Sequence, residues 1–170
     1  MADIPSHLNH EFRLTIQPDF AVAPLQAGEV LIRRFNGTAE ALGKGEFLSG
    51  IPSTYIDKGV SCNRMLYCNS ENDVLWSYAE SPPATKIDEC KYSRSEGSII
   101  YLYFDEIYLD ATREKAAQQG LSVSLEVSPN PCNVSHVDLM VTPMLGSMKP
   151  AARNTARLFI ATLFHNEPKN

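Results

Sequence analysis

Residues 98–127 constrain the fold more than any other stretch of the chain. Ser98-Ile99-Ile100-Tyr101-Leu102-Tyr103-Phe104 is a nearly continuous apolar run. Such a run, rich in branched and aromatic residues, suits a strand covered on both faces. Residues 110–119 (DATREKAAQQ) follow with good helix formers, an Asp at the expected N-cap and Gly120 just past the end. Residues 121–127 then alternate, with Leu121, Val123, Leu125 and Val127 on one face. Strand, short helix, strand suggests a crossover, and an antiparallel return stays open.

The flanking chain adds further strands. Residues 12–16 alternate and end at Pro18; residues 29–35 are rich in branched side chains; residues 60–67, 73–78 and 137–141 read as strands too. Residues 1–10 read as a loose lead-in, 38–42 as a short helix among glycines, and 84–97 as a polar loop. Pro150 opens a last helix, in which Ala152, Ala156, Phe159, Ile160 and Leu163 recur at helical spacing and should face the core. Arg153 and Arg157, four apart, should share a face.

The expected fold is a single α+β domain spanning residues 1–170, with a central, mostly antiparallel sheet of five to seven strands and a C-terminal helix packed on it. Strands 101–104 and 121–127 should be central, with Tyr103 and Phe104 not both exposed.

Composition excludes several classes of function. At 170 residues, 44% hydrophobic and 21% charged, the chain has an ordinary globular make-up. A net charge of −5 argues against broad coating of nucleic acid. No apolar run reaches the roughly 18 residues a membrane span needs, so no membrane partner is expected. Residues 1–7 carry neither a basic nor an apolar segment, so no secretory signal is expected. Cys62, Cys68, Cys90 and Cys132 are too sparse for a disulfide framework and show no zinc spacing. Buried free thiols are expected, and with them the cytoplasm of a cell that keeps thiols reduced.

The chemistry sits in two polar clusters that interrupt apolar runs. One is Arg33-Arg34, Pro52-Ser53-Thr54-Tyr55 and Gly59-Val60-Ser61-Cys62-Asn63-Arg64; the other is Asn130-Pro131-Cys132-Asn133-Val134-Ser135-His136. Arginines and hydroxyls beside strand ends suit an anionic ligand. Arg33 and Arg34, adjacent in a strand, point to opposite faces. A surface or structural ion pair accounts for them equally, and local capping accounts for Ser53 and Ser61.

His136 is the best residue for acid–base work, since histidine as a residue type titrates near neutrality and this one stands at a strand entrance. Glu126 or Asp138 can orient it. His7, His10 and His165 lie near the termini, where exposure is expected. The expected set is therefore His136 and Glu126 as catalytic groups, with Arg34, Ser53, Ser61, Arg64 and Asn133 as ligand contacts. No GxSxG, HExxH, paired-His or P-loop pattern occurs, so neither a metal nor another cofactor is called for.

The matching segments 29–35, 50–55, 59–64, 120–136 and 151–163 together resemble an uncharacterised bacterial protein family. That family joins an arginine-ended strand, a Pro-Ser turn, a Ser-x-x-Arg strand, an Asn-x-x-His step and an Ala/Arg-rich terminal helix. The resemblance covers about half of the chain by short motifs. Asn133-Val134-Ser135-His136 departs from its pattern, which has a proline and an alanine before the histidine. The resemblance implies which residues converge and carries no activity. A weak similarity to ADP-ribosyltransferases rests on Arg34, Ser53-Thr54 and Glu126 in that order, although the Ser-Thr follows a proline and no ExE stands near Glu126.

Two functions follow from these readings. One is an anion site for a small phosphate-bearing ligand or a nucleic-acid end, possessing or lacking catalysis. The other is a non-catalytic protein-binding or adaptor domain acting through an apolar patch. The sequence leaves oligomeric state open.

Overall fold

The computed structural model describes residues 22–36, 59–68, 70–79, 90–130 and 132–170. The expected strand 12–16, the short helix 38–42, His7, His10 and Ser53 lie outside the described residues.

Among the described residues seven strands form: β1 (Val30–Phe35), β2 (Val60–Arg64), β3 (Trp76–Ala79), β4 (Lys91–Arg94), β5 (Ser98–Tyr103), β6 (Ser122–Val127) and β7 (His136–Thr142). Among the described residues three α-helices accompany them: α1 (Phe104–Tyr108), α2 (Asp110–Gln118) and α3 (Pro150–Ala161). Five strands make one sheet in the order β5-β1-β2-β7-β6, and β3 pairs with β4 in a second, small sheet. Every pairing is antiparallel. The fold is α+β, as expected, and among the described residues no helix is long and apolar enough to cross a membrane.

Alternation along the strands gives the large sheet two unlike faces. Leu31, Phe35, Val60, Cys62, Ile100, Leu102, Val137 and Leu139 line the first face, where Ile107, Ala116, Ala156 and Ile160 from the helices join them in one buried cluster. This is the main core, and α3 packs on it as expected. In α3, Ala156 and Ile160 are buried and Phe159 half-buried, followed by buried Leu163, while Ala152 is exposed. Pro150 occupies the first turn, where its missing N–H costs nothing.

The second face is divided. Across β5 and the first part of β1 it is apolar: Ile32 and Tyr101 pack with Val74 and Leu75 of a 3-10 turn at Glu71–Leu75, while Arg34 follows near the end of β1. Across β2, β7 and β6 it carries Ser61, Asn63, His136, Asp138 and Glu126, set by the pairs Ser61↔Asp138, Asn63↔His136 and Glu126↔Asp138.

Several expectations are corrected. β5 and β6 are not central; they are the two edges of the large sheet. Both faces of β5 are covered, by α1–α3 on one side and the 3-10 turn on the other. Cover on both faces comes from layers and says nothing of lateral neighbours. Because all pairings are antiparallel, β5 and β6 run in the same direction, and α1 and α2 carry the chain between opposite edges. The strand expected at 60–67 stops at Arg64 and tightens into a 3-10 turn at Met65–Tyr67. In the stretch 73–78 only the end, from Trp76, is extended. β4 forms within the expected loop; its side chains are mostly exposed, so its pairing with β3 leaves no hydrophobic pattern.

The cysteine expectation is half overturned. Cys62 and Cys68 are free, but Cys90 and Cys132 form a disulfide. It ties the start of β4 to the loop between β6 and β7, and Tyr92 Oη also donates to the Cys132 carbonyl at 3.0 Å.

Candidate functional site

The polar half of the second face is organised around His136, the first residue of β7. The β6–β7 hairpin brings Ser128 back onto it: the Ser128 amide donates to the His136 carbonyl at 3.1 Å. Within the connection, Asn130 Oδ1 accepts from the amides of Cys132 and Asn133, both at 2.9 Å, an Asx-type turn of the kind Asn favours. Loop closure thus places Ser128, eight residues away in sequence, against the imidazole.

His136 Nε2 lies 2.6 Å from Ser61 Oγ, and Nδ1 lies 2.7 Å from Ser128 Oγ and 3.1 Å from the Ser128 carbonyl. Ser128 Oγ donates to Asp138 Oδ2 at 2.8 Å, and Asp138 Oδ1 stands 3.8 Å from Nε2. The His136 and Asp138 side chains are 17% and 18% exposed, so the cluster borders solvent. A partly shielded hydrogen-bond chain of this kind holds its members in one geometry.

Arg34 belongs to the same face. Strand alternation puts Arg34 in phase with Ile32, on the second face; the β1–β2 pairing itself ends at Ile32↔Asn63. Its stem runs past Gly97, where an added Cβ would come within 3.0 Å of Arg34 Cγ and 2.7 Å of the Phe35 carbonyl. Among the described residues no carboxylate pairs with Arg34. Arg33 sits in the opposite phase, and its Nη1 donates to the Ser61 carbonyl. The two arginines diverge as strand alternation requires.

Arg64 is not at this site. Alternation turns it to the first face, where it is wholly buried. Its Nε and Nη2 grip both oxygens of Glu29, with Nη2 to Oε2 at 2.9 Å. Nη1 donates to the Ala23 carbonyl at 2.5 Å, Nη2 also to the Pro24 carbonyl at 3.2 Å, and the Tyr67 ring lies 5.0 Å away. The expectation of a ligand-binding Arg64 is therefore corrected: it is a structural cation that fastens the segment before β1.

Asn133 is corrected likewise. It is 5% exposed; its Nδ2 donates to Asn63 Oδ1 at 2.7 Å, and its Oδ1 accepts from Ser135 Oγ at 2.7 Å. It builds the loop that delivers His136. Glu126 shares the face but is exposed at the sheet edge and touches neither imidazole nitrogen. The orienting group is Ser128, backed by Asp138. Sequence reading weighed Asp138 and missed Ser128, whose only signal was its place at the end of an alternating strand facing a histidine across a short connection.

The strand segment under Ser61 also holds Cys62, whose thiol is pushed up to about 12, first by burial, with Asp138 adding to the rise and Arg33 opposing it. It is a protonated core thiol and takes no part in the site. His165, expected to be exposed, is half-buried: its Nε2 meets Glu106 Oε2 at 2.5 Å and its backbone pairs with Tyr101.

Comparison with protein-family models, curated proteins and solved structures gives no match. What the fold and site define by themselves is an α+β domain with a Ser–His–Ser–Asp hydrogen-bond chain on one sheet face.

Proposed function

We propose that the polar half of the second face binds a small phosphate-bearing ligand, with Arg34 as its anion contact and His136 as the group that moves a proton. The observation that carries this reading is the arrangement of Arg34, Ser61 and His136 on one face. Arg34 supplies a guanidinium without a carboxylate partner among the described residues. Such a group forms charge-assisted, bidentate bonds to phosphate oxygens. The proposal keeps the convergence of segments 29–35, 59–64 and 120–136 that the family resemblance implied, and takes no activity from it. With a net charge of −5, a free nucleotide or a nucleic-acid end is favoured over a long duplex.

The rival reading is a protein-binding domain in which these polar groups are structural. One observation favours it: Arg64, counted among the anion contacts, is consumed by Glu29. Titration with inorganic pyrophosphate and nucleotides separates the two readings. The anion site predicts a ligand-dependent rise in Tm and an affinity loss of about 1.5–3 kcal/mol in Arg34→Ala, roughly 10- to 150-fold in Kd. Absence of any shift, or equal affinity in the variant, contradicts it.

The Cys90–Cys132 bond supports an oxidising compartment for the folded protein, in place of the reducing cytoplasm expected from its sparse cysteines.

A further inference from the structure

We propose that Ser61 is a nucleophile, that His136 is its base, and that the site displaces a group at phosphorus on an anionic phosphoester through a phosphoseryl intermediate. This deepens the phosphate-site reading above and rests on it for the substrate class.

Proton bookkeeping along the chain carries the argument. Ser128 has one hydroxyl proton, and it is directed to Asp138 Oδ2 at 2.8 Å. The 2.7 Å contact between Ser128 Oγ and His136 Nδ1 then requires Nδ1 to be the donor. The Ser128 carbonyl, 3.1 Å from Nδ1, accepts only and demands the same. A neutral imidazole protonated at Nδ1 carries a lone pair on Nε2. Ser61 must therefore donate its hydroxyl proton across the 2.6 Å to Nε2. Every bond in the chain points one way, and it ends on a serine oxygen whose proton is already aimed at a base. That is the relation of nucleophile, base and orienting group that serine chemistry needs.

The surroundings suit the charged state that follows. When Nε2 takes the proton, Asp138 Oδ1 stands 3.8 Å away to stabilise the imidazolium. Ser61 lies in β2, the middle strand of five, with its carbonyl held by Arg33, so its position is stiff. Arg34, on the same sheet face by strand phase, is the cation offered to the charge that grows on the phosphoryl oxygens.

The step balances without an added redox agent. Ser61 Oγ forms a bond to phosphorus as its proton passes to His136. The P–O bond to the leaving alcohol breaks, and the imidazolium returns the proton to the departing oxygen. Water then attacks the phosphoserine, giving its proton to His136; the P–Oγ bond breaks, the imidazolium returns that proton to Ser61 Oγ, and phosphate leaves.

An alkyl fluorophosphonate tests this on the full chain, since attack by a serine oxygen displaces fluoride and leaves a stable adduct. Intact mass should show one adduct, mapped to Ser61 and absent in Ser61→Ala. His136→Ala should slow labelling by about 100-fold or more, the contribution of a positioned base. Ser128→Ala, a variant of the positioning residue that keeps both reacting groups, should slow labelling and change its pH profile. Circular dichroism of each variant separates lost chemistry from lost fold. No adduct at Ser61 in the folded protein, or labelling indifferent to His136→Ala, overturns the proposal. Pyrophosphate binding without an adduct overturns the nucleophile and leaves the anion site standing. An adduct without pyrophosphate binding overturns the anion site, and with it the phosphoester substrate assigned here.

Discussion

Arg34 and Arg64 stand on neighbouring strands, yet one faces a polar surface and the other is sealed in the core. Strand phase and the carboxylate of Glu29 separate them. Arg64→Ala would leave Glu29, itself 6% exposed, with an unpaired buried charge. Breaking a buried pair in this way costs about 3–5 kcal/mol, and urea unfolding should show it. His136→Ala removes a partly exposed side chain and two or three modest hydrogen bonds, for an expected loss of about 1 kcal/mol. If His136→Ala were the costlier of the two, His136 would be a core histidine and its acid–base role would fall.

The free thiols, Cys62 buried and Cys68 partly so, set a pH dependence. Burial raises both Cys62 and Cys68 from about 9.0 to about 12. Between those values the unfolded chain has released protons that the folded chain retains, so stability falls as pH rises through that window. Unfolding free energies at pH 8 and pH 10.5 should differ less in Cys62→Ala than in the wild type; an unchanged difference would contradict the burial account.

At the scale of elements, the apolar run 98–104 and the alternating run 121–127 were legible as strands because their periods report which faces are covered. Their lateral order was not, because β5 gains its cover from a 3-10 turn and helices. Its open edge is blunted by the tail: the Tyr101 amide donates to the His165 carbonyl at 3.0 Å, and the His165 amide to the Tyr101 carbonyl at 2.8 Å. Lys169 and His165 both reach Glu106 and fasten this segment. An uncovered edge invites pairing with other chains. Removing residues 165–170 should speed amide exchange at Tyr101 and promote aggregation; unchanged exchange would show that the tail does not guard the edge. Gly97→Ala should strain this positive-φ position against the Phe35 carbonyl, displace the Arg34 stem and weaken pyrophosphate binding several-fold, with Ser61 labelling as a check that the dyad survives.

For the molecule as a whole, the disulfide couples the small sheet to the loop that presents His136. Its cysteines are 42 residues apart, and closing a loop of that length is worth about 4 kcal/mol on a chain-entropy basis. Cys90→Ser should lower the unfolding free energy by about 2–4 kcal/mol and loosen the His136 contacts; equal stability of reduced and oxidised protein would deny the bond a structural part. This bond was illegible in the sequence because pairing depends on two loops meeting in space, not on cysteine spacing. The same holds for Ser128, which meets His136 only when the hairpin closes. Ser61, His136 and Arg34 were legible because polar residues inside strands stand out against their apolar neighbours. Arg64 looked identical by that criterion, and its opposite strand phase and the carboxylate of Glu29 tell it apart.

The chemistry of the site turns on one proton. A long-range nitrogen–proton NMR spectrum of the imidazole of His136, recorded where the ring is neutral and assigned with His136→Ala, reads it directly. The structure predicts Nδ1 protonated and Nε2 bare, with Ser61→Ala perturbing Nε2 and Ser128→Ala perturbing Nδ1. A proton found on Nε2 would mean that Ser61 accepts instead of donates, and neither the base nor the nucleophile described above would exist.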